Sequence, residues 1–299
     1  MLSHADIHTS YADTECGSLD YPGPFHSALL GDDRRLVVYL PPGYHADGGR
    51  RYPVLYMQDG QNLFDGRTSF VPGRHWHLNE TADNLIREGA IEPLIIVGVY
   101  NAGERRIDEY TPSGDPRIGA GGRADLYGRM LVEELKPYVD ATYRTKPGRE
   151  HTGVGGSSLG GLVSLYLGLW HAGTFGRVIA MSPSLWWDGC WLLRHLDSVR
   201  RGPKAKVWLD AGTLEGANTD CHAEALADAL AARGYAPGEE VEFMRAEGAR
   251  HSEQDWAHRV HRGLRFTYAH GGRQADIPRP FLAPDMSHVQ VGRGAAASG

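Results

Sequence analysis

The sequence predicts an α/β protein, a mostly parallel central sheet covered by helices on both faces. Three observations carry this. Short, continuous, β-branched apolar runs recur along the chain, as in strands buried on both faces. Amphipathic stretches alternate with them, so successive strands are joined by helical crossovers. Between one such strand and one such helix stands "GSSLG" (156–160), a G-x-S-x-G turn.

The elements follow in order. "RRLVVYLPP" (34–42) alternates apolar and polar residues and reads as an early strand near an edge. "YPVLYMQDG" (52–60) and "EPLIIVGVYN" (92–101) read as buried parallel strands. Between them "WHLNETADNLIREG" (76–89) sets Trp76, Leu85 and Ile86 at helical spacing, with Gly89 as the stop. "LYGRMLVEELKPYVDATY" (126–143) is the next long helix. "HTGVGG" (151–156) is a strand, and "SLGGLVSLYLGLWHAG" is an apolar helix after a sharp turn. "GRVIAMSP" (176–183) and "KAKVWLDAG" (204–212) are two more buried strands. "CHAEALADALAARG" (221–234) is a helix ended by Gly234, "EVEFMRAEG" (240–248) a last strand, and "SEQDWAHRVHRGLRFTYAH" (252–270) a closing helix. These divide the chain into an N-terminal extension (1–29), one domain (30–270) and a Pro/Gly/Ala-rich tail (271–299), with no internal repeat.

Composition narrows the function classes. The formal charge of −6 argues against nucleic acid or an anionic membrane as the main partner. No apolar run approaches the roughly 20 residues of a membrane span. The polar start, "MLSHADIHTSYADTECGSLDYPG", has no basic-then-apolar pattern of a signal peptide, which points to the cytoplasm. Cys16, Cys190 and Cys221 are widely spaced and odd in number, as reduced thiols are. His75 and His77 form an H-x-H pair, but no third metal ligand stands out, and neither metal nor cofactor is expected.

The chemistry gathers around the glycine turn. Only one register gives G-x-S-x-G: Gly156, Ser157, Ser158, Leu159, Gly160. Position 159 is leucine, so Ser157 cannot be the central serine. A serine hydroxyl is a poor nucleophile and needs a positioned base and a site for the oxyanion it creates. A strand–turn–helix elbow supplies the second need through the N–H of Leu159 at the helix start. A second N–H is due from the loop after an earlier central strand. "LYMQDGQNLFD" offers Asp59-Gly60-Gln61-Asn62, with Gln61 as the donor.

Enzymes with such an elbow place an acid and then a histidine later in the chain. Of fifteen histidines, His251 in "AEGARHSEQDW" falls in the loop after the last strand, whereas His258, His261 and His270 lie in or at the end of the closing helix. For the acid, "VWLDAGTLEGAN" offers Asp210 at the strand end and Glu215 in the loop beyond. Glu215 has the better reach to an imidazole; Asp210 is the alternative.

Together these segments resemble the putative esterase family of α/β-hydrolases, which includes enterochelin (siderophore) esterases, feruloyl and acetyl xylan esterases and S-formylglutathione hydrolases. The resemblance spans about 30–270 and rests on "PVLYMQDGQNLFD", "RRIDEYTP", "GGSSLGG", "MSPSLWW", "LDAGTLEG" and "GARHSEQDW". It is nearest to the enterochelin-esterase-like branch. It implies an α/β-hydrolase fold, Ser158 as nucleophile, His251 as base and an acid in the "GTLEG" loop. It also implies a substrate pocket near Asp59, with Trp186 or Trp187 beside it and Arg106, or Arg105, at its mouth. The expected activity is hydrolysis of a small-molecule carboxylic ester through an acyl-enzyme. Transfer of the acyl group to an alcohol, or a non-catalytic binding module on the same fold, are the rivals. A dinucleotide-binding turn is disfavoured, because G-x-G-x-x-G read from Gly153 lands on Ser158.

Overall fold

The computed structural model describes residues 16–200, 202–216 and 218–270. The tail (271–299) and the first half of the extension lie outside them. An eight-stranded sheet organises the rest: β1 (Ser18–Asp20), β2 (Leu36–Leu40), β3 (Val54–Gln58), β4 (Ile95–Val99), β5 (Thr152–Ser157), β6 (Arg177–Met181), β7 (Lys206–Gly212) and β8 (Val241–Ala246). Their spatial order is β1-β2-β4-β3-β5-β6-β7-β8. β2 pairs antiparallel with both β1 and β4, and every other pairing in the sheet is parallel.

The strand at 34–42 lies near an edge, as its alternation predicts, and is second in the sheet because the three residues Ser18–Asp20 of the extension pair along it. So short a strand leaves no periodic pattern to read. The long helix at 126–143 is three pieces: Ala124–Arg129, a π-helical turn Met130–Leu135, and Lys136–Thr142. Pro137 lacks the N–H that an α-helical bond to residue 133 requires, and a local change of register meets that loss.

Among the described residues the α-helices are α1 (Leu78–Arg87), α2 (Arg106–Tyr110), α3 (Ala124–Arg129), α4 (Lys136–Thr142), α5 (Leu159–Trp170), α6 (Trp187–Arg194), α7 (Thr219–Ala232) and α8 (Glu253–Tyr268). Alternate strand residues feed two cores, as a period of two dictates. Val38, Tyr56, Val97, Val154 and Leu209 join the core that includes Leu162, Leu167, Leu226 and Leu230 of α5 and α7. Val37, Leu55, Ile96, Ile179 and Trp208 join Leu85 of α1 and Trp256, Val260 and Leu264 of α8. Both faces of the central strands are therefore sealed. What remains open is the edge where β3, β5, β7 and β8 deliver their carboxyl-terminal loops.

Candidate active site

Ser158 follows the last residue of β5 and precedes α5, with φ 58° and ψ −125°. A non-glycine residue there is strained by about 1–3 kcal/mol and persists only when its surroundings fix it. Two backbone bonds do so: Ser158 N–H donates to the Met181 carbonyl at 3.0 Å, and Ser184 N–H donates to the Ser158 carbonyl at 3.0 Å. The flanking glycines answer a second demand. A Cβ on Gly156 would lie 2.9 Å from both Gln58 Cβ and the Gly160 carbonyl carbon, and one on Gly160 would lie 3.0 Å from Asp59 Oδ2. The motif is glycine because three backbones meet at this point. The Ser158 hydroxyl itself lies 3.3 Å from the Ser184 hydroxyl.

His251 and Glu215 meet in the loops after β8 and β7. His251 Nδ1 is 3.0 Å from Glu215 Oε2. An ionised carboxylate only accepts, so Nδ1 carries the proton and Nε2 is left for proton transfer. The imidazole stands edge-on to the Trp256 ring, 4.9 Å between centroids. Glu215 has no exposed side-chain surface, and its other oxygen is saturated. Oε1 accepts from the Ser182 hydroxyl at 2.6 Å, Gly212 N–H at 2.6 Å and Arg259 Nη2 at 3.1 Å. Burial penalises the charge, but His251, Ser182 and Gly212 outweigh it and hold the carboxyl below the usual glutamate range.

Asp210 lies behind this pair, fully buried, and does not touch His251. It accepts from Arg259 Nε at 2.8 Å and Trp208 Nε1 at 2.9 Å. Three residues of this assembly escaped the sequence reading: Ser182, Trp256 and Arg259. Ser182 takes φ 45°, and its hydroxyl oxygen accepts from Trp256 Nε1 at 2.8 Å and Arg259 Nη2 at 2.7 Å. Arg259 left one legible signal. It stands three residues after Trp256 and beside Val260, on the apolar stripe of α8, where a guanidinium needs a buried counter-charge.

The Asp59–Asn62 loop is a single 3₁₀ turn entered through Asp59 at φ 56°. Gly60 sits so close to β4 that a Cβ would lie 2.5 Å from the Gly98 carbonyl carbon. Among the described residues, neither Gln61 N–H nor Leu159 N–H donates to another group of the chain. Asp59 and Arg106 occupy each other: Arg106 Nε and Nη2 reach Asp59 Oδ1 and Oδ2 at 2.7 and 2.8 Å, and Asn101 Nδ2 adds a bond of 2.7 Å. Burial works against the Arg106 charge, yet the Asp59 carboxylate more than offsets it and raises the guanidinium further. Arg105 is tied instead to Asp32.

Trp186 is 38% exposed, whereas Trp187 is only 2% exposed. The Trp187 indole N–H donates to the Ser113 carbonyl at 2.9 Å and anchors the 101–125 loop. A cleft of about 560 Å³ beside the site includes neither Ser158 nor His251. It joins the site through Gln61 and runs past Asn101, Tyr100, Arg35 and Phe70. The Phe70 ring is 83% exposed. The His75 and His77 rings lie 3.8 Å apart, tilted by 35°, and among the described residues no three His, Cys, Asp or Glu side chains gather as metal ligands.

Known proteins bear on this geometry. A family model described as Putative esterase matches residues 27–267. An iron(III) salmochelin esterase of Escherichia coli is 26% identical over 66% of this chain and 48% of its own length. An endo-1,4-beta-xylanase/feruloyl esterase of Xylanibacter ruminicola is 27% identical over 78% of this chain and 29% of its own. The chain thus spans half or less of these two relatives. The crystal structure of the BES protein from Bacillus cereus superposes with a TM-score of 0.67 at 23% identity, covering 84% of this chain and 94% of that one. The shared architecture is the α/β-hydrolase fold.

Proposed function

The chain belongs to the putative esterase family and is a carboxylic ester hydrolase; from that premise we propose that it works through an acyl-enzyme on Ser158, with His251 as base and Glu215 as its orienting acid. One observation carries the reading. A serine at φ 58° after β5 shares the open sheet edge with an imidazole held by a carboxylate at 3.0 Å.

The chemistry follows from those atoms. The Ser158 hydroxyl turns from Ser184, whose 3.3 Å contact is long for an O–H···O bond, toward His251. Oγ attacks the ester carbonyl carbon as its proton passes to His251 Nε2. Negative charge develops on the carbonyl oxygen, where Leu159 and Gln61 N–H groups donate to it. Glu215 fixes the tautomer and stabilises the imidazolium without taking the proton. Collapse of the intermediate breaks the ester C–O bond, and the alcohol leaves with the proton from His251. Water, deprotonated by His251, then attacks the acyl carbon and returns Ser158 and the free acid.

For the substrate, the relatives' names point to siderophore and feruloyl esters. The cleft beside Gln61 presents Phe70 and Tyr100, which favours a small-molecule ester bearing an aromatic group. The test of mechanism is burst kinetics with p-nitrophenyl acetate and butyrate. Wild type should show a stoichiometric burst, and Ser158→Ala and His251→Ala should each lose about 10⁴-fold or more in kcat. Undiminished turnover in Ser158→Ala would overturn the assignment.

A further inference from the structure

Arg259 poses an electrostatic problem that the mechanism above does not resolve. It is buried, lies 3.1 Å from Glu215 Oε1, and cannot give up its proton. Glu215 has to offer its negative charge to the imidazolium that forms on His251. A lone guanidinium on the other side of the same carboxylate would cancel much of that charge in a medium where little water screens it.

Asp210 removes the conflict. Its carboxylate takes Arg259 Nε at 2.8 Å, beside the Nη2 that reaches Glu215, and Trp208 Nε1 at 2.9 Å completes its partners. We infer that Asp210 and Arg259 form a charge-neutral positioning pair: Arg259 with Ser182 fixes the rotamer of Glu215, and Asp210 returns to Glu215 the charge it presents to His251. The buried array then carries two carboxylates and one guanidinium, a net charge of −1 facing the imidazole. Neither Asp210 nor Arg259 touches the reacting atoms. Both act through Glu215, so this inference rests on the triad reading.

Among the described residues, two groups contact the imidazole: Glu215, from the β7 loop, and the uncharged Trp256 ring, from α8. Of the charged neighbours in sequence, Asp255 is engaged by the Ser252 hydroxyl, and Arg250 and Glu253 flank His251 with opposite signs.

The consequence is an asymmetry that a purely structural role would not produce. Asp210→Asn leaves Arg259 and Glu215 mutually neutralised, so the imidazolium loses support and the acid limb of the kcat/KM profile moves to lower pH, by roughly one unit. Arg259→Gln loosens Glu215 and lowers kcat, but the buried Asp210 then takes up a proton, the net charge stays at −1, and the limb stays near its wild-type place. Adding Arg259→Gln to Asp210→Asn also restores −1, so the double variant's limb returns toward wild type.

The experiment is the pH profile of p-nitrophenyl butyrate hydrolysis for wild type, the two single variants and the double variant, with melting curves to confirm folding. Asp210→Ser, which leaves room for a water between Trp208 and Arg259, carries the same expectation if the asparagine variant does not fold. An acid limb unmoved in Asp210→Asn and Asp210→Ser, or a double variant that stays with them, overturns the inference. Loss of activity in Ser158→Ala alongside an unmoved limb leaves the triad standing and removes only the pair's role. Retained activity in Ser158→Ala removes the triad itself.

Discussion

The elbow and the acid network hold their residues by opposite means. Ser158 is held by backbone: two main-chain bonds fix its strained φ, and glycines let β5, α5 and the Asp59 loop close around it. Glu215 is held by side chains: a hydroxyl, a guanidinium and an imidazole reach it from the end of β6, from α8 and from the β8 loop, with one N–H at the end of β7. A backbone device resists the loss of any one side chain but not the gain of a methyl group. A side-chain device is the reverse. Substitutions should therefore separate the two regions by the quantity that changes.

Of the substitutions that separate the two regions, Glu215→Gln has the largest effect. The amide keeps the volume but brings an NH₂ group against donors on every side, since His251 Nδ1–H, Ser182, Gly212 and Arg259 all donate to the carboxylate. The imidazole is then pushed toward the wrong tautomer, and kcat should fall by about 10³–10⁴ with KM little changed. A loss under tenfold would mean that His251 works as half of a dyad. Gly156→Ala tests the other region. Its Cβ meets Gln58 and the Gly160 backbone at 2.9 Å, neither of which can yield without moving β3 or α5. Overpacking of this kind costs about 1–3 kcal/mol, read as a lowered Tm. An unchanged Tm would show that the elbow has slack, and the contrast between the regions would lose its basis.

The same contrast explains what the sequence made legible. A backbone device needs its glycines within a few residues of the serine, so GSSLG makes both the proposed nucleophile and its turn legible. The strands and most helices were readable for a similar reason, since each carries its own period. The acid network is scattered from Ser182 to Arg259, and no local pattern links a serine after one strand to an arginine seventy-seven positions later. Asp210 and Glu215 were visible as acids, but their division of labour depends on which one Arg259 approaches through Nε. Arg106 was placed at the mouth of a pocket, and its bidentate engagement by Asp59 could not be seen because residues 101–125 have no periodic signature.

The smallest effect is the one that separates two carboxylates sharing a guanidinium. Glu215 sits below the usual glutamate range because its partners outweigh burial. Asp210 sits above the usual aspartate range because burial outweighs Arg259 and Trp208. The signs of their linkage to folding are therefore opposite. Where Glu215 titrates, the unfolded chain binds the extra proton. Its contribution to stability is complete above the unfolded pKa and disappears as pH falls through the lower folded value. For Asp210 the folded chain binds the extra proton, so stability falls as pH rises through the interval between its unfolded and folded values. Melting curves of wild type and Glu215→Gln from pH 3 to 7 isolate the first term. The wild-type advantage in Tm should be constant near neutrality and shrink on the acid side, below the ordinary glutamate range. A difference that stays flat down to pH 3 would mean that Glu215 gains nothing from folding as an anion, and its four donors would have to be read as packing partners alone.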